Sequence, residues 1–306
     1  MSDASGSLAP APGLPAPPHR CARRRLYLDA QHGLCNRLRA IASAAGIAAR
    51  TDRALVVIWR PDPHCEARIG DLFRYSGPVI EDAAADDLRA RSARVYNYME
   101  VEAGARFEEP ILAGGDRIDG DVYVRSAYPL VSPYHDRAAE LRFLRGLVVS
   151  EPVRALVERP RPRPDIAVHI RMASGPGFEH LPYESADNWP DHRHAELLEW
   201  RRASHADRFL ARLEMLLAEG GDRRVFVAAD LEETYARLAA RLGDRVDRLE
   251  RDRYDRSARQ LQFAVADLML LARAPFLLAS GWSSFSDMAA RLGGRGMRVE
   301  RSGVDF

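Results

Sequence analysis

From Asp165 to the end of the chain, short β-branched apolar runs alternate with segments of helical period, and this alternation restricts the fold more than any other feature. Asp165 to Arg171 (Asp-Ile-Ala-Val-His-Ile-Arg), Arg224 to Asp230, Asp244 to Glu250, Pro275 to Ser280 and Met297 to Glu300 read as strands. Between them lie helical patterns that end at Glu219, Leu242, Ala272 and Leu292, and three of these are followed by Gly220-Gly221, Gly243 and Gly293-Gly294. Five strands alternating with four helices imply an α/β architecture: a parallel sheet covered on both faces, joined by right-handed crossovers.

The first half starts the same way. Arg25 to Ala30 reads as a strand, Gln31 to Leu34 as a turn, Asn36 to Arg50 as a helix with Leu34, Leu38, Ile41, Ala45 and Ala48 at helical spacing, and Ala54 to Trp59 as a second strand. Shorter strands are expected at Pro78 to Glu81, Arg94 to Met99 and Val122 to Ser126, and helices at Ala138 to Leu147 and Glu151 to Glu158. The turn His-Gly-Leu-Cys-Asn-Arg holds a single glycine, so it does not match a G-x-G-x-x-G dinucleotide loop. Gly33 marks a point where backbone approaches something closely or takes positive φ, and Asn36 and Arg37 open the helix, Asn36 with helix capping as its alternative role. Alternating prolines in Glu158 to Pro164 fit neither helix nor central strand and read as a linker. The expected organisation is a Pro/Ala-rich tail over 1–24, an N-terminal α/β domain over 25–160 and a C-terminal one over 161–306.

Bulk properties exclude several functions. The net charge of +1 over 306 residues gives no support for a nucleic-acid partner. All 45 basic residues are Arg, which fits codon bias in a GC-rich bacterial genome and rules out lysine nucleophiles, Schiff bases and a Walker lysine. Cys21, Cys35 and Cys65 form no C-x-x-C, so neither a disulfide framework nor a zinc ribbon is expected, and a reducing, cytoplasmic location fits. No apolar run approaches the ~18 residues of a membrane span, and the first 20 residues resemble a disordered tail more than a signal peptide.

Three strand ends carry the candidate chemistry. Alternation places His169 and Arg171 on one face at the carboxyl end of their strand, where open α/β sheets bind ligands. An Arg there suits a phosphate or diphosphate, with a structural ion pair as the alternative. Asp230 closes the next strand, poised to accept from ribose hydroxyls or a base, or to cap the following helix. Ser283, Ser284 and Phe285 lead into a helix whose start favours an anion, although Ser284 and Asp287 also form an S-x-x-D cap. Caps explain each residue singly, and a ligand site explains why all fall on one edge. Weaker signals are Asp119-Gly120-Asp121, His192-x-His194 and His64-Cys65 as metal ligands, none a complete set. Asp267 is expected to brace a loop, and the sign-alternating stretch Arg245 to Arg259 to be a solvated surface.

With these motifs in order (HGLCNRLRA, VHIRM, VFVAAD and RQLQFAVADLMLLARAPFLLASGWSSFSD), the chain resembles the GT-B fucosyltransferase superfamily of nodulation, core α-1,6- and protein O-fucosyltransferases over about residues 26 to 300. The resemblance implies two Rossmann-like domains facing a cleft, GDP-fucose or a related GDP-sugar as donor, inversion at the anomeric carbon, no metal or other cofactor, and a glycan, peptide or small-molecule acceptor. It implies donor contacts from His169, Arg171, Asp230, Ser283, Ser284 and Phe285, with Gly33, Asn36 and Arg37 bordering the cleft from the other domain. Arg171 would stabilise the departing diphosphate. Glu179, Asp187, Glu184 and Asp29 are candidates for a base. The chain departs from the superfamily after His-x-Arg, where Met172-Ala-Ser-Gly-Pro-Gly-Phe-Glu179 stands. The rival readings are a non-catalytic nucleotide- or sugar-binding protein and an enzyme acting on a nucleotide-linked substrate without glycosyl transfer.

Overall fold

The structure is a computed structural model and describes residues 24–115, 118–174, 178 and 185–306. Its first half runs β1 (Arg25–Ala30), α1 (Leu34–Arg50), β2 (Ala54–Ile58), α2 (Ile69–Leu72), β3 (Val79–Ile80), α3 (Leu88–Arg91), β4 (Arg94–Asn97), β5 (Val122–Ser126), α4 (Arg137–Gly146) and α5 (Glu151–Val157). The strands form one parallel sheet in the order β3-β2-β1-β5-β4. The second half runs β6 (Ile166–Ile170), α6 (Asp191–Ala203), α7 (Ala206–Ala218), β7 (Val225–Ala229), α8 (Glu232–Leu242), β8 (Val246–Asp247), α9 (Ala258–Leu271), β9 (Phe276–Ala279), α10 (Ser284–Gly293) and β10 (Arg298–Arg301). It forms a second parallel sheet, β10-β9-β6-β7-β8.

Both sheets reverse their winding beside the first strand of the half, between β1 and β5 and between β6 and β9. Such switch points open a crevice at the carboxyl ends of the strands. The sheets are joined through a shared apolar interior. Leu26, Leu28 and Val124 of the first sheet and Ala167, Phe226 and Leu277 of the second belong to one buried cluster, through α1, α5, α9 and α10. Helix α1 is suited to this position because Ala40, Ala42 and Ala44 are completely buried and small enough for close approach on several sides. Helix α9 buries Leu261, Phe263, Leu268 and Leu270, each contributing roughly 1.5–3 kcal/mol by leaving water. The outer faces of the two sheets have separate clusters around Tyr27 and Ile58 and around Val168 and Phe209.

Three expectations are corrected. The helix ending near Glu219 is two helices, broken at Ser204, whose completely buried hydroxyl meets Ser302 Oγ at 2.9 Å. The strand expected over Asp244 to Glu250 is reduced to Val246–Asp247, because Gly243 to Arg245 form a 3-10 turn and the chain then leaves the sheet. Helix α1 starts at Leu34, two residues before Asn36. The expected tail lies outside the described residues apart from Arg24. Among the described residues no helix is long and apolar enough to cross a membrane.

Candidate active site

Strand β6 sets the site. Ile166, Val168 and Ile170 pack on the outer face, while Ala167 joins the shared interior, so the two-residue period turns His169 and Arg171 toward the side between the halves. His169 is buried, stacks on Phe285 with ring centres 4.7 Å apart, and its Nδ1 lies 2.7 Å from Ser286 Oγ. Ser286 Oγ already accepts the Ser280 N–H at 3.1 Å, so donating its hydroxyl hydrogen to Nδ1 satisfies both groups and leaves the imidazole hydrogen on Nε2. Burial pushes the His169 pKa down to about 3, which keeps the ring neutral.

Arg171 donates from Nη1 to Asp230 Oδ2 at 2.7 Å. Asp230 also accepts the Met172 and Ala173 N–H groups at 3.0 and 2.8 Å. Burial alone would raise its pKa, but the Arg171 charge and these N–H donors reverse the shift and hold it below the usual carboxylate range. Asp230 therefore does not cap α8, whose N-cap is Leu231 without a side-chain bond. Ser280 ties the two central strands together, its hydroxyl donating to His169 O and accepting the Arg171 N–H, both at 2.9 Å.

Ser283, not Ser284, is the N-cap of α10 and accepts from the Ser286 N–H. Ser283, Ser284 and Phe285 all line the cavity beside Arg171. The turn before them needs Gly281: a Cβ there would lie 2.3 Å from Trp200 on α6. Trp282, at φ 45°, then swings its ring against Trp189, with centres 5.8 Å apart.

The opposite wall comes from the first half. The left-handed backbone belongs to His32 (φ 61°) and not to Gly33, whose φ is −69° and whose added Cβ would meet only His64 O, at 3.9 Å. Gly33 lines the cavity, and so does Asn36, which is not the N-cap of α1 and makes no hydrogen bond through its side chain among the described residues. Arg37 is corrected. Its guanidinium is completely buried away from the cavity, donating to His32 O, Arg60 O and Asp62 Oδ2 at 2.7, 2.8 and 2.7 Å and stacking over Trp59. Arg39, half a turn further on, faces the cavity instead, anchored by Ala127 O at 2.9 Å and lying over the Tyr128 ring. His32 stacks on Trp189 with centres 6.1 Å apart, so aromatic rings from both halves meet at the cavity wall.

The cavity encloses about 390 Å³, the size class of small-molecule sites. It brings together His169, Arg171, Asp230, Ser283, Ser284, Phe285, Gly33 and Asn36. Asp187 is exposed and outside the lining, its carboxylate beside Ser185. Glu179 and Glu184 lie outside the described residues. Asp29 is completely buried, lies outside the cavity lining and already accepts from Gln31, Tyr123 and Arg125. Asp121 of the D-x-D sequence serves the Arg25 N–H and the Tyr27 hydroxyl, and among the described residues no three His, Cys, Asp or Glu side chains converge as metal ligands.

Sequence reasoning missed Glu100, Arg39, Arg201, Arg256 and Gln260, all in the lining. The stretch read as solvated surface is corrected at Arg251, whose side chain is 1% exposed and pairs with Asp267 at 2.8 and 2.9 Å. Asp267 thereby braces the segment after β8, in line with the sequence.

The fold recurs in solved structures. Fucosyltransferase NodZ from Bradyrhizobium aligns over 87% of this chain and 92% of its own, at 18% identity and a TM-score of 0.57. The fold is GT-B. NodZ α-1,6-fucosyltransferase co-crystallised with GDP aligns over 87% of this chain and 91% of its own with the same identity and TM-score, and POFUT1 in complex with GDP over 92% and 99% at 15% identity and a TM-score of 0.52. No family model and no curated protein matches the sequence. The likeness therefore rests on two parallel sheets in the same arrangement, with the cavity of this GT-B chain at their facing carboxyl edges.

Proposed function

We propose that the protein is an inverting glycosyltransferase that uses a GDP-sugar, with GDP-fucose the first donor to try, and transfers the sugar to an acceptor hydroxyl. The observation that carries this reading is the position of Arg171: a guanidinium held by Asp230 at the switch point of the second sheet, inside a cavity that also receives the start of α10. Cations and helix starts favour a diphosphate there. The similar folds include proteins solved with GDP and GDP-fucose, which supports the choice of nucleotide.

In the reaction the bond between the anomeric carbon and the diphosphate oxygen breaks, its electron pair leaving with the diphosphate. Arg171 and the first N–H groups of α10 stabilise that charge, an effect worth ~3 kcal/mol for one preorganised donor. The acceptor oxygen attacks from the opposite face and gives up its proton. Glu100 is the carboxylate we assign to receive it, because it lines the cavity from the first half, interacts with Tyr128, and stands 4.0 Å from its nearest cation, Arg193. The donor would occupy the side of β6, β9 and α10, and the acceptor the side of His32, Glu100 and Trp189.

The test is a thermal-shift titration with GDP followed by GDP-fucose hydrolysis on the wild type and Arg171→Ala. GDP stabilisation and slow hydrolysis, both lost in Arg171→Ala, are expected. Stabilisation without turnover on any GDP-sugar would make the chain a binding protein, and no response to GDP would end the proposal.

A further inference from the structure

Arg201, in the last turn of α6, has a feature that the reading above leaves unexplained. It lines the cavity, its Nε and Nη1 atoms are buried, and neither meets a hydrogen-bond acceptor among the described residues. Buried donors left unmade are rare, and a buried guanidinium without a counter-charge is costlier still. Asp230, the carboxylate that acts on Arg201, is occupied by Arg171 and by the Met172 and Ala173 N–H groups. Burial, with the Arg171 charge nearby, pulls the Arg201 pKa down to about 9 against the upward pull of Asp230.

The placement of Arg201 is firm. Trp200 beside it packs where Gly281 leaves no Cβ, and the Ser204 hydroxyl closing α6 pairs with Ser302 at 2.9 Å. These contacts lock the end of α6 to the turn that starts α10. Arg201 and Arg171 thus line one cavity from two separate elements, a helix and a strand end.

We infer that Arg201 is a second anion-binding arginine of this cavity, which together with Arg171 grips the two phosphates of a nucleoside diphosphate. The inference rests on the GDP-sugar reading for the nucleoside, but only on Arg201, Arg171 and Asp230 for the diphosphate. A planar guanidinium matches phosphate oxygens in a way that a point charge does not.

Calorimetric titration of the full-length protein with inorganic pyrophosphate, GDP and guanosine separates the possibilities. In Arg201→Gln, pyrophosphate and GDP affinity should fall at least tenfold while any guanosine affinity is unchanged. Ligand-free Arg201→Met should melt no lower than the wild type, since it removes a buried cation whose Nε and Nη1 meet no acceptor among the described residues, and a purely structural arginine would give the opposite result. Unchanged pyrophosphate and GDP affinity in Arg201→Gln overturns the inference, as does a wild type that binds neither. A wild type that binds both ligands through Arg201 but transfers no sugar leaves the inference standing and removes the transferase reading.

Discussion

Asp230 accepts from the Arg171 guanidinium at 2.7 Å and from the Met172 and Ala173 N–H groups, so one carboxylate orients the cavity arginine and fixes the start of the segment after it. Asp230→Asn keeps the shape but removes the charge and turns an acceptor into a donor facing a donor. Stability should fall by about 1–3 kcal/mol in urea denaturation. Because Arg171 then loses its aim, kcat/KM for GDP-fucose hydrolysis should fall by roughly 10²-fold. An Asp230→Asn enzyme with normal kcat/KM would remove Asp230 from this positioning role.

Arg37 and Arg39 are two residues apart and have opposite roles. Arg37 is sealed among three acceptors under Trp59, so Arg37→Ala leaves Asp62 and two carbonyls without their donor and should cost about 3–5 kcal/mol. Arg39→Ala should cost much less stability and should instead alter ligand binding. Urea midpoints together with GDP titrations decide this. A stable Arg37→Ala protein would contradict the burial argument.

The contrast shows what the sequence made legible. The parallel sheets, the alternation of β6 and the convergence of Arg171, Asp230 and the Ser283 turn follow from periods of two and 3.6 residues and from strand-end position, which are local properties. Arg37 was misread because it adjoins a turn at the cavity, and sequence proximity does not tell which way a helical side chain points until the surrounding helices are in place. Arg251 was hidden in a sign-alternating stretch because its burial depends on Asp267, 16 residues away on α9. Arg201 had no signal at all, since its surroundings come from β6, β7 and the Gly281 turn. Gly33 offered close approach or positive φ, and the positive φ belongs to His32, one residue earlier, where no glycine advertises it.

Two glycines of the site should respond differently to alanine. At Gly281 a methyl would collide with Trp200 at 2.3 Å and approach Ser302 O at 3.0 Å, so Gly281→Ala should cost about 1–3 kcal/mol and, by pushing α6 outward, weaken pyrophosphate binding through Arg201. At Gly33 the nearest atom is 3.9 Å away and φ is ordinary, so Gly33→Ala should leave the melting temperature unchanged while adding a methyl to the cavity wall. Equal melting temperatures for the two variants would show that Trp200 does not pack against the turn.

Stability should depend on pH with a definite sign. Burial holds the His169 and His32 pKa values at about 3, against 6.5 in the unfolded chain, so below pH 6.5 the unfolded state carries two protons that the native state lacks. Asp267 works the other way. Burial, against the pull of Arg251, raises its pKa to about 6, so below that pH the native state carries one proton that the unfolded state, at 3.8, lacks. Two protons outweigh one, and stability should rise from about pH 5 to about pH 6.5 and level off above. Urea midpoints across that range should show the slope, and His169→Asn should remove about one proton's share of it. A flat wild-type profile would mean that these rings are not held neutral.

Glu100 tests the division of the cavity into donor and acceptor sides. It enters from the first half, on the side we assign to the acceptor, so Glu100→Gln should leave GDP and pyrophosphate affinity unchanged. If the carboxylate receives the acceptor proton, kcat for transfer should fall by about 10²–10⁴-fold, with no matching rise in the KM for donor. In Glu100→Ala, exogenous formate should recover part of the rate of GDP-fucose hydrolysis, because a small carboxylate can occupy the space left by the deleted side chain and take the proton from the attacking water. Parallel loss of GDP affinity in Glu100→Gln would move this residue to the donor side, and unchanged turnover would remove it from the proton-accepting role.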